Sequence, residues 1–293
     1  MNPVIGATLW MGGALLSFMC MAIAVRELSA ALSTFQILFW RSLIGFVIIT
    51  CLISFFGWRH ARTRRLPAHF ARSIVHFGGQ YGWILGIAAL PLAEVFSIEF
   101  TTPVWTMILA ALFLGEVITR VRVFALVLGF TGILVILRPG FETIEVAQLA
   151  VLGSALGFAA SYVFTKTLVE SDTPLAILFY MSLMQMPMAL VGGVTDWAWP
   201  VAEHWVWVIV TGVGGLTAHY SLAKALQLAE ATIVTTMDFM RLPLIAAVGF
   251  LIYGERFDTW VFAGACIIFA GIFLNVRTES KRVRTAGGAP NYT

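Results

Sequence analysis

The sequence predicts an all-α membrane protein, with ten transmembrane helices arranged as two inverted five-helix repeats around a central cavity. Three observations predict it. The 293 residues are 60% hydrophobic and only 11% charged, with mean hydropathy +0.91. A soluble domain carries about 25% charged residues, so too little polar surface exists here to cover a water-soluble body. Ten apolar stretches are each long enough to cross the hydrocarbon, which takes about 20 residues. Finally, the chain resembles itself at an interval of 139–140 residues.

The stretches fall at 4–25, 33–56, 72–90, 94–115, 121–138, 148–168, 174–195, 204–228, 231–254 and 258–276, with short connections. None alternates apolar and polar positions, which argues against a β-barrel. The fifth contains Gly129–Phe130–Thr131–Gly132 and the eighth Gly212–Val213–Gly214–Gly215, small residues that let helices approach closely or, in the eighth, permit a hinge. Pro103, Pro187 and Pro243 interrupt the fourth, seventh and ninth; a proline inside a helix frees a carbonyl and bends the axis. The N-terminus lacks the basic region and cleavage site of a signal peptide, so the first span is expected to persist.

Orientation follows from Lys and Arg. With alternate threading, thirteen of the 18 fall on one side: Arg59, Arg62, Arg64, Arg65, Arg72, Arg120, Arg122, Lys166, Lys224, Arg277, Lys281, Arg282 and Arg284. Arg26, Arg138 and Arg256 fall on the other. Both termini are therefore predicted to be cytoplasmic. Trp197, Trp199, Trp205 and Trp207 gather at the outer end of spans seven and eight, as an interfacial belt does. Cys20, Cys51 and Cys266 lie in apolar runs and offer no disulfide framework. A net charge of +3 gives no argument for nucleic acid.

The repeat is carried by five concordant matches. Ile37–Leu43 resembles Ile177–Leu183, Gln80–Tyr81–Gly82 resembles His219–Tyr220–Ser221, and Glu99–Phe100 matches Asp238–Phe239, each of the last pair followed by a proline. Gly115–Glu116 matches Gly254–Glu255, and Gly132–Ile133 with Arg138 matches Gly271–Ile272 with Arg277. The expected organisation is a first repeat at 1–140, a second at 141–277 and a polar cytoplasmic tail at 278–293. Five spans per copy is an odd number, so the second copy enters from the opposite side. Inverted copies of this kind are a transporter arrangement with substrate sites near the midplane.

Ten spans as five plus five, Gly115–Glu116 and Gly254–Glu255 at the ends of spans four and nine, and Arg41 in span two resemble the EamA-type drug/metabolite transporters. The resemblance covers nearly the whole chain, and more narrowly it is similar to the bacterial YddG-type aromatic amino acid exporters. It implies a carrier fold with a central cavity between the halves. The glutamate near the start of span one that binds cations in the small multidrug relatives is absent here, so their mechanism does not carry over.

Ionisable groups inside a membrane are costly, about 2.5–3.5 kcal/mol for Asp at a helix centre, and mark pathways by default. Glu99 and Asp238 lead, because the repeat sets them at equivalent depth. Glu99, Thr102 and Thr106 form one polar stripe, and Thr235, Asp238 and Arg241 another. They either line a cavity that binds a charged group or a proton, or form a structural ion pair of Asp238 with Arg241 beside a protonated Glu99. Arg41 has no counterpart, since Met181 occupies its place; structural pairing, with Glu99 as a partner, is expected, and a ligand role for its planar fork is the alternative. His76, Gln80 and Trp83 share one face of span three. His76 and His219 are candidates for a proton relay, set against simple hydrogen bonding. Ser17, Ser161, Tyr162 and, among the aromatics, Tyr81 and Tyr220 either line the cavity or, for the hydroxyls, bond to their own helix. Glu116, with Arg120 nearby, and Glu255 belong to span ends, and Glu142 to an outer loop.

Both signs of charge with aromatic walls suit a zwitterion with an apolar side chain, since aromatic faces also attract an ammonium. The predicted function is export of amino acids, aromatic and other apolar ones first; other small metabolites or drugs are the alternative. No His-Glu-x-x-His, Cys-x-x-Cys or Gly-x-Ser-x-Gly motif supports an enzyme, and no cofactor or metal is expected. The expected partners are the small-molecule substrate and the lipid bilayer, for a monomer in a bacterial inner membrane.

Overall fold

The computed structural model describes residues 3–115, 120–138, 144–229, 231, 234, 237, 238, 241–256 and 258–285, and every regular element among them is helical. In chain order these are α1 (Pro3–Ser29), α2 (Thr34–Phe56), α3 (Leu66–Ala89), α4 (Leu92–Glu99), α5 (Thr102–Phe113), α6 (Arg120–Leu137), α7 (Val146–Leu168), α8 (Pro174–Gly193), α9 (Trp205–Leu228), α10 (Arg241–Tyr253) and α11 (Thr259–Thr285), with short 3₁₀ turns between some of them. Among the described residues, six segments are long and apolar enough to cross a membrane, α4 and α5 counting together as Leu92–Phe113. The bundle is apolar outside, where Phe55, Phe113, Val191 and Leu251 are exposed, and polar inside, where Arg41, His76, Gln80, Glu99 and Arg241 are buried. Water would reverse that distribution; lipid favours it.

Local chemistry places the helix starts. Ser33 accepts from the Gln36 N–H while the Gln36 side chain accepts from the Ser33 N–H at 3.1 Å, a capping box that opens α2. Thr173, 140 residues on, accepts from the Ala176 N–H at 3.1 Å and is followed by Pro174 at the start of α8. The fourth span is broken rather than bent. Pro103 has no N–H for the Glu99 carbonyl four residues back, and the Thr102 hydroxyl donates to that carbonyl instead at 2.5 Å. α4 therefore ends at Glu99, in the interior of the bundle.

The principal helix pairs are α1 with α9, α3 with α7, α2 with α8 and α6 with α11. This pattern is unchanged when α1, α2, α3 and α6 are exchanged for α7, α8, α9 and α11. Two close backbone approaches follow the same exchange. A Cβ on Gly214 would stand 3.2 Å from the Ser17 carbonyl oxygen, and one on Gly157 would stand 2.7 Å from that of Val75; Ser17 and Gly157 are 140 apart, Val75 and Gly214 139 apart.

The helix ends match as well. At the end of α1, Arg26 donates to the Ile87 carbonyl and, at 2.5 Å, to Glu255. Glu255 also accepts from the Leu92 N–H at 2.8 and 2.9 Å, capping α4. At the end of α7, Lys166 donates to the Leu226 carbonyl at 2.9 Å and the Ala229 carbonyl at 3.0 Å. Arg26 and Lys166 occupy equivalent places, as do Ile87 and Leu226. Because Trp10 meets Tyr220 while Ser17 meets Thr217, α1 and α9 run antiparallel and the two clusters lie at opposite ends of the bundle.

The 57–65 and 169–173 connections dock on each other. Asp172 accepts from Thr63 at 2.5 Å and pairs with His69 at 2.7 Å, and Thr173 donates to the His60 carbonyl at 2.7 Å. Burial works against ionisation of Asp172, but hydrogen bonds from Thr63, His69 and Ser171 outweigh it and hold this carboxyl below its ordinary value. Arg72, expected at the edge of the loop, is instead a buried residue of α3 whose Nε donates to the Thr165 hydroxyl at 2.6 Å. Trp197, Trp199 and Trp205 form a ring cluster around the buried Trp40, with centroids 5.1–6.1 Å away.

Candidate functional site

The break after Glu99 and the start of α10 at Arg241 bring the two strongest sequence candidates together. One nitrogen of Arg241, Nη2, donates to Glu99 Oε1 at 2.7 Å and to Asp238 Oδ2 at 2.6 Å. The Trp83 indole donates to the other Glu99 oxygen at 2.8 Å. Phe18 and Phe96 close around the guanidinium, their ring centroids 5.0 and 4.8 Å from its carbon. All three ionic groups are buried, which a charge tolerates only when paired and hydrogen-bonded. The expected Asp238–Arg241 pair is thus present. The expected Arg41–Glu99 pair is not, because Arg241 takes both carboxylates while Arg41 lies against Gly215 of α9.

Arg41, Gln80, Trp83, Glu99, Tyr162, His219 and Arg241 line a closed chamber of about 20 Å³, with Phe18, Phe158 and other apolar side chains completing its wall. That volume admits one water molecule, not a metabolite. Several polar atoms at or beside the chamber are buried without a hydrogen-bond partner: Arg41 Nε and Nη2, Gln80 Oε1, His219 Nδ1, Asp238 Oδ1 and Arg241 Nε. Folded proteins leave few such atoms, and their concentration in one place fits a site that receives polar groups. The Arg41 side adjoins a second small crevice between α2, α8 and α9, lined by Ser42, Met181, Gln185 and Leu216.

Other candidates stand elsewhere. His76 lies behind the chamber wall, within 2.9 Å of the Gln185 amide and 3.4 Å of the Gln80 amide, with its ring 4.6 Å from that of His219. Tyr81 packs on Phe35 at 4.7 Å, outside the chamber. The Thr102 and Thr106 hydroxyls bond to carbonyls of their own helical segment. Ser161 is buried with its hydroxyl unpartnered. Ser17 donates to the Gly13 carbonyl and accepts from Thr217, both at 2.9 Å. Tyr220 meets Trp10 in a separate cavity of about 880 Å³ near the 169–173 connection. Thr235, Glu116 and Glu142 lie outside the described residues. Among the described residues no group of His, Cys, Asp and Glu is arranged to hold a metal ion. Arg41 was not among the expected lining residues; its lack of a counterpart in the repeat was the signal.

Comparisons with known proteins agree with this architecture. The family model described as EamA-like transporter family matches twice, over residues 5–138 and 146–277. The chain is 29% identical to the riboflavin transporter of Rhizobium johnstonii, covering 97% of this chain and 94% of that one. It is 24% identical to the S-adenosylmethionine uptake transporter of Rickettsia bellii, covering 87% and 88%. It is 27% identical to the pseudopaline exporter CntI of Pseudomonas aeruginosa, covering 90% and 93%. None of these three is named an amino acid exporter. A solved crystal structure that carries no functional name has the same fold, with a TM-score of 0.70 at 16% identity over 94% of this chain and 98% of its own. The family model covers both halves, so the chain belongs to the EamA-like transporter family and is a multi-pass membrane transporter.

Proposed function

We propose that the protein is an alternating-access exporter of small zwitterionic metabolites, amino acids foremost, with aromatic and other apolar side chains first. The observation that carries this reading is the Glu99–Arg241–Asp238 cluster beside a closed, aromatic-walled chamber with unpartnered polar atoms. It offers groups of both signs to a substrate that also carries both. Exchange-symmetric helix pairing, with five spans to a copy, supports inverted repeats of about 1–140 and 141–277. Two copies facing opposite ways give inward-open and outward-open states of comparable energy. Placement in a bacterial inner membrane with both termini cytoplasmic follows from the basic residues of the 57–65 loop and the C-terminal segment.

One of the relatives supports amino-acid-derived cargo. S-adenosylmethionine, the cargo of one relative by its name, carries an amino acid head on a larger aromatic body. The second reading is export of another aromatic metabolite, favoured by the riboflavin transporter that aligns with nearly the whole chain. Proteoliposomes holding the pure protein, loaded separately with labelled phenylalanine, S-adenosylmethionine and riboflavin, decide between them. Phenylalanine flux supports the first reading. Riboflavin flux alone supports the second, and the absence of flux of any amino acid or S-adenosylmethionine removes the first.

A further inference from the structure

We infer that Arg41 is the receptor for an anionic oxygen group of the transported molecule, specifically a carboxylate. The inference rests on the carrier reading above and names the part of the substrate that is recognised. Arg41 is 5% exposed and borders both the chamber and the adjoining crevice. Its Nε and Nη2 have no hydrogen-bond partner. These two nitrogens form one edge of the guanidinium, the edge whose parallel N–H groups match the two oxygens of a carboxylate.

Among the described residues, no carboxylate forms an ion pair with Arg41. The groups whose fields act on Arg41, His76 and His219 are Arg72, the other imidazole and Arg41 itself, with no carboxylate among them. Arg241, the other guanidinium of the chamber, already shares two carboxylates. The chamber wall therefore has a negative group, Glu99, which with Asp238 outnumbers Arg241, and a positive one, Arg41, whose charged neighbour is Arg72. A substrate carboxylate belongs at the second.

That edge is buried against Gly215 of α9, which packs on it without a side chain. A Cβ on Gly215 would stand 2.6 Å from Arg41 Nε and 3.1 Å from Nη2, so a larger residue would occlude it. The fold itself does not require an arginine here, because Met181 serves at the equivalent place in the other half. The group is reached when the chamber widens during the transport cycle.

The test is a titration of purified protein in detergent at constant ionic strength, following thermal stability. The probes are sodium benzoate, benzamide as its uncharged match, and inorganic phosphate. Wild type is expected to bind benzoate at least about tenfold more tightly than benzamide, the value of a hydrogen-bonded charge pair. Arg41→Met should lose that preference. Gly215→Ala, which keeps the charge but covers the edge, should lose it as well, so the result does not hang on one variant. Equal response to benzoate and benzamide, no response to benzoate, or preference retained in both variants overturns the inference. A larger response to phosphate than to benzoate overturns the carboxylate assignment. Because benzoate is not an amino acid, this result is independent of the flux experiment: the receptor can stand while the amino acid reading falls.

Discussion

Arg241 and Glu99, 142 residues apart, meet at 2.7 Å, and the same guanidinium nitrogen holds Asp238. The contact joins the end of α4 to the start of α10, and through Asp238 it includes the residue that the repeat makes equivalent to Glu99. With all three groups ionised, the cluster carries one excess negative charge. Removing the cation leaves two buried carboxylates facing each other. Arg241→Met is expected to destabilise the protein by about 3–5 kcal/mol, the usual consequence of orphaning a buried charge. Glu99→Gln should destabilise less, because Arg241 keeps Asp238. Melting of the purified variants in detergent gives the order; equal melting temperatures for wild type and Arg241→Met would show that the cluster does not hold α4 to α10.

The same carboxylates are the candidates for the transport path. Glu99→Gln and Asp238→Asn are expected to lower flux at least about tenfold while the protein still folds. Glu203→Gln, on the exposed surface, should transport like wild type. Full flux in both acid variants would make the cluster a purely structural clamp.

The docked connections make stability pH-dependent through Asp172 and its partner His69. Asp172 sits below its ordinary value of 3.8 in the folded protein. A depressed carboxyl contributes stability above its unfolded value, and the contribution is lost as pH falls through the lower folded value. The Asp172 contribution should therefore be constant at neutral pH and be lost only below about pH 4. His69, which burial holds below its ordinary value of 6.5, adds a loss of stability that begins as pH falls below that value. Asp172→Asn should lower the melting temperature by roughly 2–4 °C at pH 7 and converge with wild type in acid. A difference that persists unchanged at pH 3 would contradict the assignment.

Two glycines in one helix give a matched packing test. A Cβ on Gly82 would run into the Ala150 carbonyl, backbone that cannot step aside, whereas one on Gly78 meets nothing within 4 Å. Gly82→Ala should destabilise by about 1–3 kcal/mol by overpacking. Gly78→Ala should be neutral or stabilising by up to about 1 kcal/mol through helix propensity. Thermal melting of the pair measures the α3–α7 approach directly.

At the Arg26 end, Glu255→Gln keeps the shape and removes the charge that ties α1 to the start of α4. Ala93 borders a cavity of about 410 Å³ there. With Cys20, Cys51 and Cys266 replaced, a cysteine introduced by Ala93→Cys should react with an impermeant maleimide about tenfold faster when Glu255→Gln is added, the effect of losing roughly 1.5 kcal/mol of charge-assisted bonding. An unchanged labelling rate would mean that this end opens without breaking the contact.

Much of this was legible in the sequence, because span length depends on local chemistry. The apolar runs and the paired depth of Glu99 and Asp238 could be read from spacing alone. What could not be read was decided by crossings between distant helices. Arg241 rather than Arg41 reaches Glu99 because of where α10 begins. The Thr102–Thr106 stripe looked like cavity lining, but those hydroxyls answer carbonyls of their own segment, one of them released by Pro103. Tyr81 and Tyr220 had suitable chemistry, but helix rotation and depth turned them away from the chamber. Arg72 was placed at the loop edge because it stands at the first position of the apolar stretch, although Thr165 draws it into the bundle.

Arg26 and Lys166 occupy the same place in the two halves, yet one is a guanidinium and the other an ammonium. The first grips with a rigid planar fork, the second with rotatable donors, so the two exits need not close with equal strength. An empty carrier would then wait longer with one face open than with the other. Substrate arriving from the two compartments would meet different half-saturation concentrations, while the final distribution would still be set by the gradients alone. A kinetic polarity of this kind needs no extra domain; one codon that drifted after the duplication is enough.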